Sequence, residues 1–250
     1  MDSFSAMTAN LRFGRARDGE HGWEFRKDAF MKLFRTYKPD ILAVQEANDF
    51  QAEHLIQRME DYDHAGFRKN APDFWQSNIL FFKKPWSLKK HRHIFYSDTP
   101  DEESKWKDSK WPRQGTLVQL EKGGKTLACV DTHYDFKPEV QARSARLLLN
   151  ILEDFAPGLP TLVMGDFNAK PDSSCRKEFE QGGFKDPFDK RFGGTHHGFT
   201  GKDDGRRIDW ILYRGGIEPV KASRKIIRGR FGGVYPSDHF QVYCEFTWKS

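Results

Sequence analysis

Leu162-Val163-Met164-Gly165-Asp166-Phe167-Asn168 is the stretch on which the fold turns. Three apolar residues bounded by glycine read as a short buried strand. It ends on an acid and an amide, and strand ends are where a scaffold hands side chains to a cleft. Pro236-Ser237-Asp238-His239 repeats the pattern, with an acid and an imidazole beside small and kinking residues at the border of another apolar run. Two Asp, one Asn and one His delivered this way are parts for hydrolysing a phosphate ester with a hard metal ion.

Working outward, strands and helices alternate in both halves. Phe4 to Leu11 reads as a first strand ending at Asn10-Leu11-Arg12. Trp23, Phe30, Leu33, Phe34 and Tyr37 recur at helical spacing, and Pro39 stops that helix. Ile41 to Val44 is a short buried strand running into Gln45-Glu46, and a second helix covers Asp49 to Met59. Ile79 to Phe82 and Ile94 to Tyr96 are strand-like, and residues 97 to 112 form a long polar loop carrying Trp106 and Trp111. Thr116 to Leu120 and Thr126 to Asp131 flank Gly123-Gly124, a hairpin signal, and lead into Thr132-His133. Val140, Leu147, Leu148, Ile151, Leu152 and Phe155 mark one face of an amphipathic helix. Ile208 to Leu212 and Val242 to Phe246 close the set of strands. The pattern predicts mixed sheets with helices outside.

The 250 residues carry no Pro/Gly/Ser-rich linker, so one domain over residues 1–250 is expected. Lys and Arg outnumber Asp and Glu by 41 to 36, a mild excess that suits an anionic partner. Cys129, Cys175 and Cys244 cannot all pair and lack metal-type spacing, which predicts no disulfide framework. No signal-like segment opens the sequence and no run reaches membrane-spanning length, which predicts a cytoplasmic protein without stable membrane association. A processed or trimmed chain would read the same way. A monomer is the expected state.

Taken together, the strand ends resemble the endonuclease/exonuclease/phosphatase superfamily. The residues that carry the resemblance are Asn10-Leu11-Arg12, Gln45-Glu46, Asp131-Thr132-His133, Gly165-Asp166-Phe167-Asn168, Arg207 to Leu212 and Ser237-Asp238-His239, in family order over nearly the whole chain. A bacterial branch of stand-alone members is similar also at Asp18, Trp23, Arg26, Ser97-Asp98-Thr99-Pro100, Pro112-Arg113 and Thr195 to Phe199. The resemblance implies an α+β fold, a four-layer αββα sandwich with the site at one edge of two facing mixed sheets. It also implies hydrolysis of phosphoesters with Mg²⁺ or Mn²⁺.

The residue types suit that chemistry. Phosphoryl transfer needs positive charge on the non-bridging oxygens and an in-line water. Glu46 is the first expected metal ligand, with Asn10 and Asp238 completing the shell directly or through water. Asp166 is expected to orient and deprotonate the water, with Asn168, two residues on along an extended chain, steadying the same oxygen. His133 and His239 would donate to phosphate oxygens, Asp209 would fix His239, and Arg113 would clamp the phosphate.

Around this set the residues leave alternatives open. One of His196 and His197 reaches substrate, or both sit in a solvated loop. Asn78 is expected to line the cleft. Arg26 pairs with a nearby acid or supports the structure, and Trp106 and Trp111 stack on a base or sugar or pack in a core or lid. Basic stretches at Lys83-Lys84, Lys89 to His93 and Arg224 to Arg230 form either a track for a phosphate backbone or a lysine-protected sheet edge. A phosphodiester of nucleic acid is the leading expectation for the substrate. The alternative is a small sugar, inositol or lipid-headgroup phosphate, and outside enzymology an inactive ligand-binding scaffold.

Overall fold

Alternation along the strands builds the molecule. The computed structural model describes residues 3–249. Its strands are β1 (Ser3–Asn10), β2 (Ile41–Ala47), β3 (Tyr62–Ala65), β4 (Ser77–Lys83), β5 (Ser87–Phe95), β6 (Gln114–Lys122), β7 (Lys125–His133), β8 (Thr161–Asp166), β9 (Asp209–Arg214), β10 (Ile217–Pro219), β11 (Lys225–Ile227) and β12 (Gln241–Trp248). Its α-helices are α1 (Trp23–Tyr37), α2 (Asp49–Arg58), α3 (Pro138–Phe155) and α4 (Ser174–Gln181).

One sheet runs β10-β12-β1-β2-β4-β3 with β11 also on β12, and the other runs β5-β6-β7-β8-β9. Both are mixed: β1 pairs parallel with β2, and β7 with β8, while their other neighbours are antiparallel. Side chains on a strand point to opposite faces in turn. Phe4, Ala6, Ile41 and Ala43 therefore meet Leu127, Cys129, Leu162 and Met164 in a core between the sheets. Met7, Ala9, Leu42 and Val44 face the other way, onto α1 and α2. Ala128, Val130, Val163, Trp210 and Leu212 back onto α3 and α4. The layers are αββα, as expected from the resemblance.

The same inward face changes character along its length. On β1 the sequence Phe4, Ala6, Thr8, Asn10 passes from apolar to polar, on β7 Leu127, Cys129, Asp131, His133 does, and on β8 Leu162, Met164, Asp166 does. The polar ends of these strands lie together because the sheets face one another. A buried polar layer closes the core there: Gln45 Nε2 donates to Thr8 Oγ1 at 3.0 Å and across to Asp131 Oδ1 at 2.7 Å. Burial raises the Asp131 carboxyl well above its usual range, against the Gln45 hydrogen bond. This floor separates the apolar interior from the site.

Two stretches are more ordered than the sequence pattern predicts: 87–95, of which only the end reads as strand and the basic part as a track or a sheet edge, and 174–181, to which the pattern assigns no element. Ser87–Phe95 is a long outer strand of the five-stranded sheet, and Ser174–Gln181 is a helix. The outer position explains the lysines, which blunt a sheet edge. All three cysteines are free and buried. Among the described residues no helix is long and apolar enough to cross a membrane.

Candidate active site

Each site residue is delivered by a specific local device. Asn10 and His133 are the last residues of β1 and β7, and Asp166 ends β8. Asp166 is in register with His133 on one side and Asp209 on the other. Gly165 makes the close pairing possible: at φ 143° an added Cβ would sit 1.9 Å from the Thr132 carbonyl oxygen. Glu46 follows the inward-facing Gln45, and strict alternation would turn it away from the cleft. Instead the pairing of β2 with β4 slips between Val44 and Ala47, and Glu46 takes a left-handed φ of 62°. The bulge re-aims its carboxylate into the site.

Glu46, His133 and Asp166 each offer a ligand atom within 4.8 Å of one another. Asn10 Nδ2 donates to both acids, to Glu46 Oε1 at 3.1 Å and to Asp166 Oδ2 at 3.0 Å. The Phe13 N–H donates to the other Glu46 oxygen at 2.6 Å. His133 Nε2 stands 3.6 Å from Asp166 Oδ2 and 3.9 Å from Glu46 Oε1. On the opposite wall His239 Nδ1 lies 2.9 Å from Asp209 Oδ2, and its Nε2 points toward Asp166 at 4.0 Å.

Asp238 belongs to a second cluster. It groups with His196 and His239, and Arg12 Nη1 reaches it at 3.5 Å. Arg12 itself is held by Asp18 in a two-pronged contact at 2.8 and 2.9 Å. The Asn10 side-chain oxygen Oδ1 accepts from the Arg12 N–H at 2.8 Å, so this amide turns its nitrogen to the two acids and braces them.

Charge states follow from these neighbours. Burial disfavours a charged His239, but Asp209 first, then Asp238 and Asp166, outweigh it and hold the ring protonated well above its usual range. His133 goes the other way: burial and then Arg113 keep it neutral. Arg113 Nη1 lies 2.9 Å from one nitrogen of the His133 ring and 3.1 Å from the other. Burial and then Asp209 raise the Asp166 carboxyl, which places it among groups able to exchange a proton near neutrality. Two acids packed this closely are costly unless a cation joins them. Their hydrogen-bond donors are an amide and backbone N–H groups. Hard oxygen donors beside one imidazole fit a divalent cation of the Mg²⁺ or Mn²⁺ type.

The remaining expected residues separate. Asn168 does not continue an extended chain: it sits at φ 50°, its backbone N–H donates to Asp166 Oδ1 at 2.9 Å, and its amide nitrogen turns to the Tyr134 carbonyl at 3.0 Å. His196 meets His239 edge to face at 5.0 Å, with Nδ1 beside Asp204 at 3.1 Å. Its neighbour His197 is buried, stacked on Phe240 at 3.9 Å, and accepts from the Gly201 N–H at 3.2 Å, a packing role. Asn78 is buried and lines a hollow beside Arg113 and His133. Trp106 is buried with Nε1 on Asp98 at 3.1 Å, whereas Trp111 is open to solvent on that hollow. Among the described residues Arg26 meets no acid. Its guanidinium donates to four backbone carbonyls, those of Leu11, Arg12, His21 and Pro236. It thereby ties the end of β1 to the segment bearing Asp238. Arg12 stands in one of the stretches that carry the resemblance, but the sequence assigns it no role, because its placement depends on the turn after β1 and on Asp18.

Comparison with known proteins agrees with this architecture. The model of the Endonuclease/Exonuclease/phosphatase family matches residues 7–239. An endonuclease/exonuclease/phosphatase from Bacteroides vulgatus superposes with a TM-score of 0.89 at 22% identity, covering 100% of both chains. A mannosyl-6-phosphatase of Bacteroides thetaiotaomicron VPI-5482 gives 0.89 at 22% identity, covering 98% of this chain and 100% of its own. The human Nocturnin catalytic domain, with bound sulfate, gives 0.75 at 22% identity over 99% and 94% of the two chains. No curated protein matches the sequence. With a family model spanning almost its whole length and a sandwich of the same layers, the chain belongs to the endonuclease/exonuclease/phosphatase family.

Proposed function

We propose that this chain hydrolyses phosphoester bonds with a divalent cation of the Mg²⁺ or Mn²⁺ type, by in-line attack of a water activated at Asp166. The observation that carries the proposal is the opposition of two differently charged walls: the Glu46–Asp166–His133 group on one side and the protonated His239–Asp209 pair on the other. Glu46 and Asp166 would hold the cation, whose charge would neutralise the non-bridging oxygens and acidify a water. Asp166 Oδ2, fixed by Asn10, takes the proton of the water. His239 donates from Nε2 to a phosphate oxygen, because Asp209 occupies its Nδ1. Arg113 stabilises the charge growing on the same group. Asp238 and Arg12 form a rim that supports His239 and His196 rather than the centre of the cation site.

Within that class a nucleotide phosphodiester remains the finer reading, and short rather than long. Lys89 is paired with Glu121 at 2.7 Å, Arg92 with Asp101 at 2.9 Å and Arg228 with Asp203 at 3.1 Å. A track for a long backbone needs such charges free to displace counterions. The test is a panel at fixed Mg²⁺ and Mn²⁺ of oligonucleotides, dinucleotides and sugar phosphates, with Asp166→Ala and Glu46→Gln alongside. Metal-dependent turnover lost by at least ~10²-fold in Asp166→Ala is expected. Equal rates in that variant, or turnover indifferent to chelation, would overturn the proposal. A steep salt dependence of oligonucleotide binding would restore the long-track reading.

A further inference from the structure

Beside the reacting groups is a small hollow, open on one side, whose walls are unlike the rest of the site. Phe74 and Trp111 line it from two different loops, the one before β4 and the one before β6. Both are large apolar side chains left in water, with exposures of 68% and 48%. Arg113 and His133 line its inner end, so the hollow and the reacting centre are continuous. None of its nine lining residues is acidic.

The rim is cationic as well as aromatic. Lys110 Nζ lies 5.4 Å from the Trp111 ring centroid and 5.9 Å from that of Phe136, which is itself 57% exposed. The Arg113 guanidinium lies 5.5 Å from the Phe136 ring. Exposed rings beside fixed positive charge are the elements of a stacking platform for bases attached to phosphate. The lining's other polar groups, the amides of Gln76, Asn78 and Gln114, both donate and accept, as the edge of a base requires.

We propose that the hollow between Phe74 and Trp111 is a base-binding subsite: a nucleobase stacks there while its phosphate rests on Arg113 and His133. This rests on the hydrolase reading for the placement of the phosphate, but the stacking can be measured without turnover. It assigns the substrate to the nucleotides, and it makes Phe74 and Trp111 residues that determine specificity.

The experiment uses the full chain with Mg²⁺ or Mn²⁺ and a thymidine dinucleotide against analogues in which tetrahydrofuran replaces one or the other nucleoside. At one of the two positions, removing the base is expected to lower kcat/KM about tenfold or more. That ratio should collapse toward one in Trp111→Ala and in Phe74→Ala, and persist in Trp111→Phe, which keeps an aromatic face. In parallel, binding of thymidine 5′-monophosphate is followed by calorimetry, and it should weaken about tenfold in Trp111→Ala. A ratio near one in the unmodified chain, or a ratio unchanged in Trp111→Ala, overturns the subsite. So does Trp111-dependent turnover of mannose 6-phosphate in preference to nucleotides, which would give the hollow to a sugar. Trp111-dependent nucleotide binding without hydrolysis of any ester would uphold the subsite and sink the hydrolase reading instead.

Discussion

Replacing Arg26 by Met should separate stability from site geometry in a measurable way. Arg26 is 1% exposed and spends its donors on the carbonyls of Leu11, Arg12, His21 and Pro236. Methionine fills much of the same volume and donates nothing. Leu11 and Pro236 lie in buried segments, so two acceptors lose their partner without access to water. A buried unsatisfied group costs about 1–3 kcal/mol, giving about 2–6 kcal/mol for the pair. Against this, removing the guanidinium relieves its own burial, which pushes its pKa down to about 10. A net loss of about 2–4 kcal/mol is expected, read as a lower denaturant midpoint at unchanged slope. Lysine at the same position keeps the charge and part of the donors, so Arg26→Lys should recover about half. Because the same guanidinium joins the turn after Asn10 to Pro236, the cation affinity of Arg26→Met should fall as well. A midpoint within about 0.5 kcal/mol of the original protein would refute the reasoning, since losses that small are typical of surface changes.

Three further outcomes follow from the same geometry. Asp166→Asn should lower turnover at least ~10²-fold while moving the thermal midpoint in metal-free buffer by no more than a few degrees, because the amide relieves the crowding with Asp209 and Glu46 but sets an NH2 against one of the donors from Asn10 and Asn168; activity assays and scanning calorimetry of the two proteins side by side decide it. Gly165→Ala should lower stability by several kcal/mol or prevent folding, since its Cβ would meet the Thr132 carbonyl at 1.9 Å, and soluble yield with circular dichroism reports it. Burial lowers His93 and His197 to about 4, so both are neutral in the fold but protonate in the unfolded chain below about 6.5. The contribution of these two groups should therefore be complete above about pH 6.5 and decline as pH falls toward 4, so that His197→Gln shows a weaker loss of stability over that range than the original protein in urea titrations.

Much of this arrangement could be read from the chain because apolar runs ending in an acid or amide are informative in themselves. Asn10, Asp166 and Asp209 stand at strand ends as their runs predict, and the helix over Trp23–Tyr37 has its full extent in its periodicity. What stayed hidden depends on local departures from regularity. The direction of Glu46 comes from a bulge that no periodicity announces, and the turn at Asn168 sends its side chain to Tyr134. Ser87–Phe95 is a strand built largely from lysine, arginine and histidine, so it carries no apolar alternation to detect. The division of labour between His196 and His197 depends on which ring Phe240 covers. The split between Trp106 and Trp111 likewise reflects tertiary packing, with Arg143 4.3 Å over the former ring.

The inward faces of β1, β7 and β8 serve as interior filling over one half of their length and as reagents over the other. A single inserted or deleted residue midway along any of them would exchange the two faces beyond that point, sending reagents to the helices and hydrocarbon to the cleft. Variation in length among related chains should thus be confined to the connections, whose residues can be gained or lost without disturbing this phase. New specificities in this architecture would then arise from segments such as those bearing Phe74 and Trp111, while the strands keep count.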